Sequence, residues 1–139
     1  MLMAKWVAVV LYCLIGLGLM VQGVRYLVVT EFRPYHEAVV GTPWPQVTAA
    51  YQRLILGLLK GFGAGALCAG LTLFLVAIVP LRLDHEWARS VAAVLTLTYT
   101  AGLIYATRFA LVPGSRPIAI SITLFVLGLV AAIASYFQG

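Results

Sequence analysis

The chain has 139 residues, 63% of them hydrophobic and 9% charged, with a formal net charge of +5. Soluble domains carry about 25% charged residues, so the composition excludes an ordinary soluble domain and points to an all-α integral membrane protein. The nine basic residues are scattered singly over loops and span ends. That spread suits lipid headgroups and topology, not a nucleic-acid surface.

Taken in order, the first apolar span runs over about 6–29. Lys5 before it and Val21-Gln22-Gly23 within it imitate a secretory signal, but three further spans follow, and an uncleaved helix is expected. Gln22 and Arg25 share a face near its far end with Leu14 and Gly18, while Gly16 and Gly23 form a close-approach stripe. The loop over 30–52 is the longest polar segment. Within it, 34–40 predicts a short interfacial helix stopped by Gly41, and Thr42-Pro43 has the pattern of a helix start. Tyr35, Trp44 and Tyr51 suit the headgroup layer.

The second span, over about 54–79, is the richest in glycine. Gly57, Gly61, Ala64, Gly65, Cys68 and Thr72 fall on one side at helical spacing, a strip on which another helix can pack closely. Lys60 lies at its edge, a turn or two inside the apolar run, where an ionisable group is costly unless it snorkels or is paired. Pro80 is expected to end this helix, and Asp84 to cap the third span over about 87–107. There Thr96, Tyr99, Thr100 and Thr107 make a polar stripe. Pro113-Gly114 signals a turn, Ser115 is expected to cap the fourth span over about 117–137, and Ser121, Gly128, Ala132 and Ser135 line one side of that span. Cys13 and Cys68 lie inside spans, at a spacing that suits neither a redox pair nor a metal site; they read as packing residues.

These spans and their short connections predict one domain over 1–139, a four-helix up-down antiparallel bundle. Arg33, Arg53, Arg108 and Arg116 fall on the side of the first and third loops; Lys5, Arg82 and Arg89 fall on the other. With Arg25 and Lys60 left uncounted as membrane-margin residues, the two sides nearly balance. An even number of spans then favours cytoplasmic termini.

Antiparallel geometry gathers Gln22, Arg25, Glu31, His36, Glu37, Lys60, Tyr99, Tyr105, Arg108 and Ser121 in one leaflet, and leaves the other leaflet almost free of polar groups inside its spans. The expectation is a basic, tyrosine-lined cleft under a Pro/Trp-rich lid, suited to a lipid, a fatty acid or a quinone. Beside it, and ahead of it, stands a structural reading in which Lys60 and Arg25 snorkel to the headgroups or pair with Glu31 or Glu37. His36-Glu37 and His85-Glu86 fall on opposite sides, neither extends to a zinc motif, and no metal or cofactor is expected. No serine has a histidine beside it within a span, so no catalytic constellation is assembled. The function reading is therefore a non-catalytic small membrane protein, binding membrane lipids or serving as an accessory subunit, with a homo-oligomer or larger complex as partner and no nucleic acid. The alternative is a small oligomeric transporter or channel with Lys60 and Arg25 lining an anion path.

GVRYLVVTEFRPYHEAVVGTPW, LLKGFGAG, PLRLDHEWARS and YATRFALVPGSRP together resemble a group of uncharacterised small bacterial inner-membrane proteins. Those proteins are similar in having four spans, a Tyr-His-containing first loop and a glycine-rich second helix. The resemblance covers nearly the whole chain and implies a bacterial inner (plasma) membrane. It brings no activity and no functional residue.

Overall fold

The computed structural model describes residues 2–111 and 117–137, and among them there is no strand. Five α-helices follow one another: α1 (Leu2–Leu27), α2 (Pro34–Val40), α3 (Ala49–Val76), α4 (Glu86–Thr107) and α5 (Pro117–Tyr136). All but α2 are long and apolar enough to cross a membrane.

Local chemistry sets most of the boundaries. Pro34 opens α2 after Arg33, which is extended at φ −81° and ψ 155°. Gly41 closes it at φ 70°, a left-handed conformation that costs glycine nothing, and donates its N–H to the Glu37 carbonyl at 2.8 Å. The predicted helix start at Thr42-Pro43 is not used. Pro43 is extended, a single 3₁₀ turn closes over Trp44–Gln46, and Val47 is extended again. α3 begins only after Thr48.

Pro80 does not end α3 as expected. It removes an N–H donor and crowds the carbonyl one turn back, and the helix answers by widening into a π turn over Ala77–Leu81. The continuous apolar helix thus covers Ala49–Leu81, 33 residues. Asp84 is not the cap of the following helix either. It sits at φ 64° in the turn that follows the π turn, while His85 takes the N-cap position of α4 without a side-chain cap bond. Asp84 instead gives its carboxylate to Lys5, 2.5 Å away at the start of α1. The expected Ser115 cap and Pro113-Gly114 turn lie outside the described residues.

The core is built on small residues. α1 and α3 run antiparallel through two reciprocal glycine contacts. A Cβ on Gly16 would lie 2.8 Å from the Gly70 carbonyl oxygen, and one on Gly70 would lie 2.6 Å from that of Gly16. Two turns along, a Cβ on Gly23 would come within 2.7 Å of the Gly63 oxygen, and one on Gly63 within 2.8 Å of the Gly23 oxygen. Backbone touches backbone, the geometry small residues permit between apolar helices. Ala66, Leu73 and Ala77 continue the α3 face against Tyr12, Ile15 and Leu19 of α1. α4 and α5 also pair antiparallel, through Thr107 with Ser121 at one end and Ser90 with Tyr136 at the other. Between these ends Gly128 admits the Thr96 methyl, which would stand 2.6 Å from a Cβ there. Ala8, Ala88, Ala92 and Ala131 close the centre.

The glycine strip expected to pack α3 is the wrong side of that helix within this chain. Gly57, Gly61 and Gly65 each face open space, and Ala64, Cys68 and Thr72 are exposed with them. At 100° per residue this strip lies opposite the arc of Gly63, Ala66, Gly70 and Leu73.

Candidate ligand site at the first-loop end

The first loop folds back over the junction of α1 and α3. Phe32, Tyr35, His36, Val39 and Val40 recur at the spacing of one helical face. Phe32 is buried, with its ring 4.6 Å from Trp44 and 6.0 Å from His36. Tyr35 sits 4.0 Å from His36 and its hydroxyl meets that of Tyr26 on α1. Tyr26 packs edge-on against Phe62 of α3 at 5.0 Å and carries the Arg33 guanidinium over its own ring, 5.1 Å from the centroid. Burial, with the Tyr26 hydroxyl contact, raises the Tyr35 phenol above its ordinary value.

Polar groups in this cap hold the backbone. The Glu37 carboxylate accepts the Trp44 N–H at 3.0 Å, and the Gln52 amide donates to the Trp44 carbonyl at 2.8 Å. His36 Nδ1 accepts the Arg33 N–H at 3.3 Å, closing the first turn of α2 on itself. A backbone N–H can only donate, so Nδ1 is unprotonated there. Beneath α2 lies an apolar groove of about 220 Å³, lined by Phe32, His36, Val39, Val40, Ile55 and Leu59. A wider depression of about 370 Å³ along Ser90, Val91, Val94 and Leu95 is the outer surface of α4 alone.

The ten residues expected to share one cleft are dispersed, with Ser121 beside Thr107 between α4 and α5. Lys60 is exposed, not turned inward among the helices. A Cβ on Gly63 would stand 2.9 Å from the amide of Leu27, the last residue of α1. Lys60 lies three residues further out, about 4.5 Å at helical rise, and so beyond the end of α1. Arg25 and Glu31 are also exposed, and Gln22 is half-buried. Arg108 stacks over Tyr105 at 4.0 Å and Phe109 at 4.6 Å, on an outward surface where Tyr105 is itself exposed. Tyr99 packs against the core cluster instead of a cleft. His36 and Glu37 remain in the loop, the first on the groove and the second as a backbone acceptor.

Nor is the opposite end as dry as expected: Tyr12 and Ser135 are fully buried there, while Arg82 reaches over Trp6 at 6.0 Å. Among the described residues no three metal-ligating side chains come together. Sequence reasoning passed over Phe32, Arg33, Ile55 and Leu59. The repeat of apolar residues at 32, 35–36 and 39–40 was the available signal for the first of these. No family model, curated protein or solved structure matches the chain.

Proposed function

We propose that this is a non-catalytic four-span protein of the bacterial inner membrane that holds an anionic amphiphile, a phospholipid or fatty acid, at its first-loop end. The observation that carries the reading is the apolar groove between α2 and α3, flanked in sequence by cations. Arg33 follows Phe32 and Lys60 follows Leu59, both groove residues. Its volume is below the roughly 300–1,000 Å³ of pockets that enclose a whole ligand, and suits one segment of an acyl chain with the headgroup outside.

The antiparallel pairs α1–α3 and α4–α5 support an up-down bundle. Lys5 and Arg25 bracket an apolar stretch about 30 Å long at helical rise, the thickness of a hydrocarbon core. With those two residues at the margins, the α1–α3 register carries the first turns of α3 into the headgroup layer beside α2. Tyr51, Leu54 and Leu58 are exposed there. Lys60 then counts as a loop charge together with Arg25, so the first-loop side carries most of the basic residues. We therefore assign that side to the cytoplasm, the reverse of the orientation expected when those two residues went uncounted. A cytoplasmic leaflet rich in anionic lipid fits the proposed ligand.

A second reading rests on the outer face of α3. Gly57, Gly61 and Gly65 offer three consecutive open positions on which a second copy or a partner subunit can pack, the arrangement of an accessory subunit. An anion path lined by Lys60 and Arg25 would lie on this outer surface, between copies.

The test is native mass spectrometry of the chain released from nanodiscs containing phosphatidylglycerol and phosphatidylcholine. Retained phosphatidylglycerol that is lost in Leu59→Trp, with fold intact by circular dichroism, supports the groove reading. Equal retention of both lipids by wild type and variant refutes it. The mass of the released species reads copy number in the same spectrum.

A further inference from the structure

We propose that α2 is a pH-sensitive lid on the groove, closed by neutral His36 and released when that ring takes a proton. The inference rests on the reading of the groove as an amphiphile site, and adds how that site is opened.

Three observations converge on His36. Its Nδ1 accepts the Arg33 N–H, a bond that exists only while the nitrogen is unprotonated. The ring lines an apolar groove between Phe32, Val39, Ile55 and Leu59, where a charged imidazolium is poorly solvated. The charge that acts on it is that of Arg33, of like sign. Among the described residues no carboxylate counters that charge at the ring. From its own segment come the Tyr35 ring and Glu37, whose carboxylate is engaged by the Trp44 N–H. α1 contributes Tyr26 through Tyr35, α3 contributes Ile55 and Leu59, and the turn Arg108–Ala110 approaches α2 with its one cation, Arg108, stacked over Tyr105 and Phe109.

Burial first, and then Arg33, lowers the His36 value below that of ordinary histidine. The folded lid therefore favours the neutral ring, whereas a released lid takes up a proton near the ordinary value of about 6.5. The stabilisation is whole above that pH. It is lost progressively as pH falls below it, until the folded value is passed. Protonation removes one of the bonds at the first turn of α2, leaving the His36 and Glu37 N–H bonds to the Arg33 carbonyl, and charges the wall of the groove in the same step. A lid built this way opens in mild acid.

Hydrogen exchange of the full chain in phosphatidylcholine nanodiscs tests this, comparing protection factors in the α2 segment and in α5 at about pH 7.5 and about pH 5, either side of the histidine range. In the wild type, α2 protection is lost in acid and α5 protection is retained. In His36→Gln, which keeps an acceptor and does not titrate, α2 stays protected at both values. Wild-type protection that does not change with pH overturns the proposal, as does a His36→Gln variant that follows the same acid profile. If His36→Gln lacks protection already at neutral pH, the wild type decides: the loss of protection must share its midpoint with the His36 ring titration read by NMR, and a separate midpoint overturns the lid. Phosphatidylglycerol retention at neutral pH is measured alongside. Lipid bound with no pH response removes the lid and leaves the amphiphile reading; a pH response with no lipid bound removes the amphiphile reading and leaves a titrating loop.

Discussion

Gly70→Ala places a methyl group where the α1–α3 crossing has no room. The new carbon would stand 2.6 Å from the Gly16 carbonyl oxygen, 2.8 Å from the Met20 amide nitrogen and 3.0 Å from the Leu19 Cβ. Two of these are backbone atoms, so no side chain can swing aside; the helices must part by several tenths of an ångström along the seam. Overpacking of this kind costs about 1–3 kcal/mol, and the better helix propensity of alanine returns at most about 1 kcal/mol. A net loss of about 1–2 kcal/mol is expected. Gly65→Ala lies on the same helix in open space, meets nothing, and keeps the propensity gain; it should be neutral or stabilising by up to about 1 kcal/mol. The assay is reversible unfolding in mixed micelles, read by circular dichroism as the detergent midpoint at constant slope. Gly16→Ala with Gly70→Ala adds a second reading, because a seam already parted by the first methyl accommodates the second more cheaply, so the two losses are sub-additive. Equal destabilisation by Gly65→Ala and Gly70→Ala, or full additivity of the pair, would refute the assignment of the seam to Gly16, Gly23, Gly63 and Gly70.

Other consequences follow at the loops. Asp84 is both left-handed and ion-paired, so Asp84→Asn should cost no more than about 1 kcal/mol of pairing, while Asp84→Val adds about 1–2 kcal/mol of backbone strain; chemical unfolding of both variants separates the contributions. Gly41→Ala, at φ 70° with nothing close to its methyl, should loosen α2 by about 1 kcal/mol, seen as reduced amide protection in that helix alone. Glu37→Ala leaves the Trp44 N–H without its acceptor and should cost about 1 kcal/mol locally, with a shift of Trp44 fluorescence; Glu37→Gln should restore it. Lys60→Met removes an exposed cation and should leave stability within about 0.5 kcal/mol of wild type, while weakening phosphatidylglycerol retention.

Apolar run length and composition were enough to locate four long helices, because crossing an apolar layer demands long, uncharged stretches whatever they pack against. The short α2 and its stop were equally legible: proline at the first position and glycine after the last act through local backbone sterics alone. What happened at Pro80 was not. A proline permits either an end or a widened turn, and the packing of Ala77 and Leu81 into the core accompanies the second outcome.

Which side of α3 meets α1 was beyond the sequence for a related reason. That helix carries two small-residue strips, one through Gly57, Gly61 and Gly65 and one through Gly63 and Gly70, and each allows close approach by the same chemistry. Only the matching two-turn spacing of Gly16 and Gly23 on α1, met in register, selects the second. That selection turns Lys60 outward and carries it past the end of α1, away from the interior cleft expected for it. Helix periodicity assigns faces to a segment in isolation; the partner presented to each face is a property of two segments together, and it is there that the tertiary structure decided.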